Sequence, residues 1–163
     1  MTDLLPGDVA LVHGSGFAAR LVRFGQSRRY PDSWAAHAAL VVNATGGVIE
    51  AQGHGVGPGT LAAEGGGVRV YRPAYEAHGA ARAVRAMRDL VGESYGYASD
   101  ISEALVFLTG TRIRFELGGT LMCSGAVAYA LTRADLNLGP EEEFLPPAGL
   151  EAIALAQGWQ RLR

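Results

Sequence analysis

Apolar and polar residues alternate most regularly between residues 37 and 54. The runs His37-Ala38-Ala39-Leu40-Val41-Val42 and Val48-Ile49-Glu50-Ala51-Gln52 flank Asn43-Ala44-Thr45-Gly46-Gly47, a hairpin connection by composition. Strand geometry turns successive side chains to opposite faces. His37, Glu50, Gln52 and His54 therefore share one face, and Leu40, Val42, Ile49 and Ala51 share the other. Pairing Asn43 with Val48 sets Val41 opposite Glu50, Ala39 opposite Gln52 and His37 opposite His54. A slip of one residue would destroy this two-faced arrangement.

The same pattern rules place the remaining elements. Pro6-Gly7-Asp8 reads as a turn before the short strand Val9-Ala10-Leu11-Val12. Ser15 is placed to cap a helix from Phe17 to about Gln26, with Ala18, Leu21, Val22 and Phe24 inward. Gly53 to Gly59 alternates glycine with other residues and reads as a loop. No helix follows it directly, so it is not a phosphate-binding fingerprint. Val68-Arg69-Val70-Tyr71 is a strand ended by Pro73. A helix is expected from about Glu76 to Val91, with a stripe of Val84, Met87, Leu90 and Val91 and with Arg82, Arg85 and Arg88 outward. A further segment capped by Ser99 or Asp100 carries Ile101, Leu105 and Leu108, and Ile113, Phe115 and Leu117 alternate as in a strand. Pro146-Pro147 precedes a last helix to about Ala156, and a closing strand is expected from Trp159 to Leu162.

The only cysteine follows the Gly118-Gly119-Thr120 break. It opens a run in which Ala126, Val127, Ala130 and Leu131 fall on one helical face. The spacing puts Cys123 in the first turn of an inward-packing helix, where free backbone N–H groups and the helix dipole favour a thiolate. A small buried hydrophobe fits the same position. A base elsewhere in the chain separates the two readings, and His37 supplies one: it opens a strand whose partner keeps polar residues at alternate positions. Thiol, imidazole and a third polar group are the minimum parts of a cysteine hydrolase.

Composition narrows the classes. The 163 residues are 48% hydrophobic and 18% charged, which suits one folded domain spanning 1–163. The net charge of −2 gives no reason to expect a nucleic-acid partner. All 14 basic residues are Arg. One cysteine excludes an internal disulfide and a Cys-based zinc cluster. His13, His37, His54 and His78 lack H-E-x-x-H spacing, and Ser15 is not in a G-x-S-x-G elbow, so neither a metal enzyme nor a serine hydrolase is expected. No cofactor is implied. The N-terminal residues have no basic, apolar signal-peptide pattern, and no apolar run reaches spanning length. The expectation is a protein of the cytoplasm without stable membrane insertion.

Several short pieces carry a resemblance. They are Leu5-Pro6-Gly7-Asp8-Val9, Trp34 to Val42, Val48-Ile49-Glu50-Ala51, Gly55-Val56, Val70-Tyr71-Arg72-Pro73, Gly92-Glu93-Ser94-Tyr95 and Met122-Cys123-Ser124-Gly125. In that order the chain resembles the circularly permuted branch of the NlpC-type, papain-like cysteine hydrolases, near the YiiX-like proteins and more distantly lecithin–retinol acyltransferase. The permuted assignment follows from His37 preceding Cys123. The resemblance implies Cys123 as nucleophile, His37 as general base, Glu50 as the orienting residue and Tyr95 as an oxyanion partner. The segment between Tyr95 and Cys123 is longer than in non-permuted members, and Tyr97 competes for that role. The simple hairpin register instead puts Gln52 nearer His37, and strand twist or a bulge beside Gly53 would restore Glu50.

The expected fold is α+β and papain-like, an antiparallel sheet carrying His37 packed against a helix that begins with Cys123. The expected function is thiol-dependent amide hydrolysis through an acyl-enzyme, with the Cys123 backbone N–H at the oxyanion and cell-wall peptide amides among the substrates. Lipid or thioester acyl transfer, and a non-catalytic binding module on the same fold, are the alternatives.

Overall fold

The computed structural model describes residues 3–52, 55–65, 67–92, 123–139 and 145–163. Among these lie six strands and four helices in an α+β arrangement. The strands are β1 (Val9–Val12), β2 (His37–Val41), β3 (Gly47–Gln52), β4 (Gly55–Thr60), β5 (Val68–Arg72) and β6 (Gln160–Arg161). The helices are α1 (Gly16–Gln26), α2 (Gly79–Asp89), α3 (Cys123–Thr132) and α4 (Pro147–Ala156). All strand pairs are antiparallel, in the order β4-β3-β2-β1-β5-β6.

The main core lies between one sheet face and the helices. Val9, Leu11, Ala38, Leu40, Ile49, Ala51 and Tyr71 come from the sheet; Val84 and Met87 from α2, Val127 and Leu131 from α3, and Leu150 from α4, meet them. The α3 helix is the most enclosed: every residue from Ser124 to Ala128, with Ala130 and Leu131, is buried. The sequence shows this as a run of small and apolar residues, which lets α3 approach α2, β2 and β3 closely. The α2 stripe behaves as its spacing demands for Val84 and Met87, whereas Val91 lies beyond the helix and is 47% exposed. A smaller apolar cluster, Ala10, Ala39, Val41, Val48, Leu61 and Val70, covers part of the other sheet face.

The Pro6-Gly7-Asp8 turn is fixed from several sides. Gly7 has φ +97°, and a Cβ there would meet the Ala80 side chain at 2.9 Å, so both conformation and space require glycine. Asp8, 1% exposed, accepts from Arg72 Nε at 2.7 Å, from Arg72 Nη2 at 2.8 Å and from the Leu5 backbone N–H at 2.8 Å. Removing that carboxylate leaves guanidinium and amide donors without their acceptor. Asp8→Ala is expected to lower stability by about 3 kcal/mol. Urea melts check this; a change within ±0.5 kcal/mol would mean that the pair contributes nothing.

Three sequence expectations change. First, the stretch read as a loop from Gly53 to Gly59 is a strand from Gly55 on, because Gly55–Thr60 pairs with β3 along its whole length; Gly53 and His54 lie outside the described residues. Glycine and Pro58 are tolerated there because β4 is an edge strand. Second, α1 does not bury Ala18 or Phe24. Phe17 and Phe24 are 82% and 63% exposed, and Gly25 and Gln26 are its buried residues. Polar contacts hold this helix instead: Arg23 donates to the His13 carbonyl, and Gln26 donates to the Ala35 carbonyl.

Third, the hairpin register differs by two residues. Val41 pairs with Val48, and Ala39 with Glu50. The cause is Asn43. Its Oδ1 accepts from the Gly47 N–H at 2.8 Å and the Thr45 N–H at 3.1 Å, which draws Asn43 out of the strand into the turn. The Val42 N–H then donates to the Gly47 carbonyl. An even shift preserves the faces, so Glu50 still projects on the same side as His37.

Candidate active site

His37 is held by the segment that leads into β2. The buried Gln26 side chain bridges the Ala35 carbonyl and the Ala148 N–H, and the Ala36 N–H donates to the Val12 carbonyl at 2.8 Å. Trp34 stacks beneath the Arg69 guanidinium, 4.0 Å from the ring centre, while Arg69 donates to Glu151 at 2.6 Å. Glu151 also accepts from the Tyr71 hydroxyl at 2.9 Å, and burial together with that carboxylate pushes the Tyr71 phenol up to about 12. These contacts tie β1, β5, α1 and α4 to the three residues before His37. Gln26 carries no periodic signal, and sequence reasoning does not find it.

At the site, His37 Nε2 lies 2.5 Å from Glu50 Oε2. The Glu50 side chain is 3% exposed and the His37 side chain 21% exposed. Cys123, which opens α3, acts on the same imidazole, through a charge and a hydrogen bond that both raise the His37 pKa. With Nε2 turned to Glu50, Nδ1 is the nitrogen left for sulfur. Gln52 does not bond His37: its amide donates to Glu50 Oε1 at 2.7 Å. The two orienting candidates thus act in series, Gln52 on Glu50 and Glu50 on His37. The observed register brings Glu50 within reach, since Ala39 stands opposite Glu50 and leaves His37 one diagonal step away. Tyr95, Tyr97 and His54 lie outside the described residues.

The electrostatics follow from these contacts. Burial alone pushes the His37 imidazolium towards deprotonation. The charge and hydrogen bond of Cys123, and those of Glu50, outweigh it and raise the pKa to about 10. His37 is therefore an imidazolium at neutral pH. Burial pushes Glu50 upward, and its bonds to His37, Glu64 and Gln52 bring it below the ordinary carboxylate value.

Two residues of this site are missed by the sequence reading. Gly59 is one: a Cβ there would overlap Glu50 Oε1. The glycine alternation carries its signal, because Gly55, Gly57 and Gly59 pair with Gln52, Glu50 and Val48 and leave side-chain space beside Glu50. Glu64 is the other, in the segment after β4. Its carboxyl lies beside that of Glu50, and each shifts the other's pKa. His37, Glu50 and Glu64 offer ligand atoms that all lie within 4.8 Å of one another, and they are the described residues that could hold a metal ion. A cation there would have to displace both the imidazole–carboxylate bond and the carboxyl–carboxylate bond.

No family model matches the chain, and no curated protein matches it. None of the described helices is long and apolar enough to cross a membrane.

Proposed function

We propose that the protein is a thiol-dependent acyl hydrolase of papain-like type that acts on amides through an acyl-enzyme. The reading is supported above all by the series Cys123–His37–Glu50, in which one imidazole is bonded to a buried carboxylate and is held protonated by a helix-start cysteine as well. The Cys123 sulfur attacks the carbonyl carbon, and the oxyanion forms near the Cys123 backbone N–H at the positive end of α3. His37 then gives its Nδ1 proton to the leaving amine, which leaves a thioester on Cys123. In the second half, His37 takes a proton from water as it attacks the thioester. Glu50 keeps Nε2 protonated throughout, so that Nδ1 is the nitrogen that exchanges protons. The resemblance to permuted NlpC-type hydrolases and the sheet-plus-helix placement of the two residues both favour this reading. Cell-wall peptide amides are its leading substrate class.

A reactive thiol distinguishes an enzyme from a binding module. Iodoacetamide at pH 6.5 should alkylate Cys123 at least roughly tenfold faster in wild type than in His37→Ala, because an imidazolium neighbour favours thiolate. Intact-mass time courses read the two rates. Equal rates in folded proteins would favour a binder that shares the fold but not the chemistry.

A further inference from the structure

Glu50 is almost fully enclosed, yet it has two ionisable neighbours. Its Oε2 receives His37 Nε2, and its Oε1 receives the Gln52 amide. The half-buried Glu64 brings a second carboxyl to the same group: one oxygen of Glu64, one of Glu50 and a ring nitrogen of His37 all lie within 4.8 Å of one another. Two carboxylates this close repel unless one keeps a proton or a cation lies between them. The buried member touches an imidazolium, so it is the one that carries the charge. Glu64 keeps the proton and becomes a donor. A carboxylic acid O–H given to a carboxylate makes a short, charge-assisted bond that fixes the acceptor's rotamer.

We propose that Glu64 is a positioning residue of this site: through a proton shared with Glu50 it holds the Glu50 carboxylate against His37 Nε2. The inference rests on the Cys123–His37–Glu50 reading and adds a fourth member to it. Gly59 fits the arrangement, since a side chain there would push Glu50 Oε1 out of the position that Gln52 and His37 require. Burial and the neighbouring Glu50 raise Glu64 to about 7, while His37 pulls it down. Those two groups, Glu50 from β3 and His37 from β2, are the charged neighbours that face it among the described residues. Gln52 on β3 is neutral, and the Ser15 hydroxyl at the start of α1 lies nearest the adjoining Gly65.

The sign of the pH effect follows. The folded-state value of Glu64 is above that of a free carboxylate, so the protein prefers it protonated. The donor is present below about pH 7 and is lost as pH rises through that value. Its loss places a second negative charge beside Glu50 and His37, which holds the imidazolium more tightly and makes it a poorer proton donor.

NMR on the full chain tests this without a substrate. In wild type labelled at glutamate Cδ and histidine Cε1, one glutamate should titrate near pH 7 and the His37 signal should show a small step in register with it. In Glu64→Gln the step should vanish, and the main His37 midpoint should fall by roughly half a unit or more, as expected for losing one charge at this range. Glu64→Ala should also slow iodoacetamide alkylation at pH 6 more than Glu64→Gln, which retains a donor. A wild type without a glutamate midpoint between about pH 6 and 8, or His37 curves that superimpose in wild type and Glu64→Gln, would overturn the proposal. That failure is separable from failure of the dyad: alkylation that is unaffected by His37→Ala would sink the hydrolase reading however Glu64 titrates.

Discussion

Cys123→Ala and His37→Ala should each cut acyl-hydrolase turnover by on the order of 10⁴-fold or more and leave the fold in place. Cys123 and His37 act on each other directly, and no other thiol lies in the sequence to stand in for the sulfur. The double variant should be no worse than either single one, because the two act as a unit. Cys123 is partly buried against the main core, and losing one sulfur atom there leaves a space of about one methyl group, a modest stability cost. Initial rates on a panel of peptide amides and activated esters, beside near-UV circular dichroism of each variant, make the check. A folded Cys123→Ala variant with undiminished turnover would end the thiol mechanism.

The second large effect concerns Glu50. Glu50→Gln keeps the side-chain shape but removes the charge that faces the imidazolium, and the rate should fall roughly 10²-fold. The His37 pKa should fall with it, since the charges and hydrogen bonds of Cys123 and Glu50 together hold it up at about 10. The stability that imidazolium draws from its partners in wild type is fully present below the ordinary histidine value and is lost as pH rises through about 10. In Glu50→Gln that loss should begin at lower pH. Gln52→Ala should do less, because Gln52 reaches His37 only through Glu50. Gly59→Ala should resemble Glu50→Gln in rate, as the added methyl group displaces Glu50 Oε1 without touching the thiol. Histidine NMR titration of the three variants, beside their rates, separates these outcomes. A His37 midpoint that moves in Gln52→Ala but not in Glu50→Gln would reverse the assignment of the orienting residue.

The parts of the fold legible in the sequence are those with a strict period. Alternation in 37–52 defines two sheet faces, and an error of two residues in register leaves those faces unchanged, so His37 and Glu50 fall together even though the pairing differs. What alternation lacks is the Asn43 side chain, which accepts three hydrogen bonds in the turn and sets where the strands close. The helix that begins with Cys123 is legible from its apolar stripe. By contrast, α1 is tethered by Arg23 and Gln26 to carbonyls, contacts between polar groups that no hydrophobic pattern reports. The glycine alternation of β4 has a strand's period without a strand's residues; only its pairing with β3 shows that the missing side chains make room for Glu50. Glu64 sits in an aperiodic segment and reaches Glu50 by tertiary closure alone. The site's side chains nearest to it in sequence, Gln52 and Glu50, lie on β3, and nothing local marks it.

The central claim is that Cys123 carries the acyl group during turnover. Acid-quenched reactions with an activated ester, followed by intact-mass and peptide mass spectrometry, test it most directly. The account predicts a single acyl addition on Cys123, released by hydroxylamine as a thioester is, and absent in Cys123→Ala. Steady turnover with no acyl addition at Cys123, and equal turnover in Cys123→Ala, would contradict it.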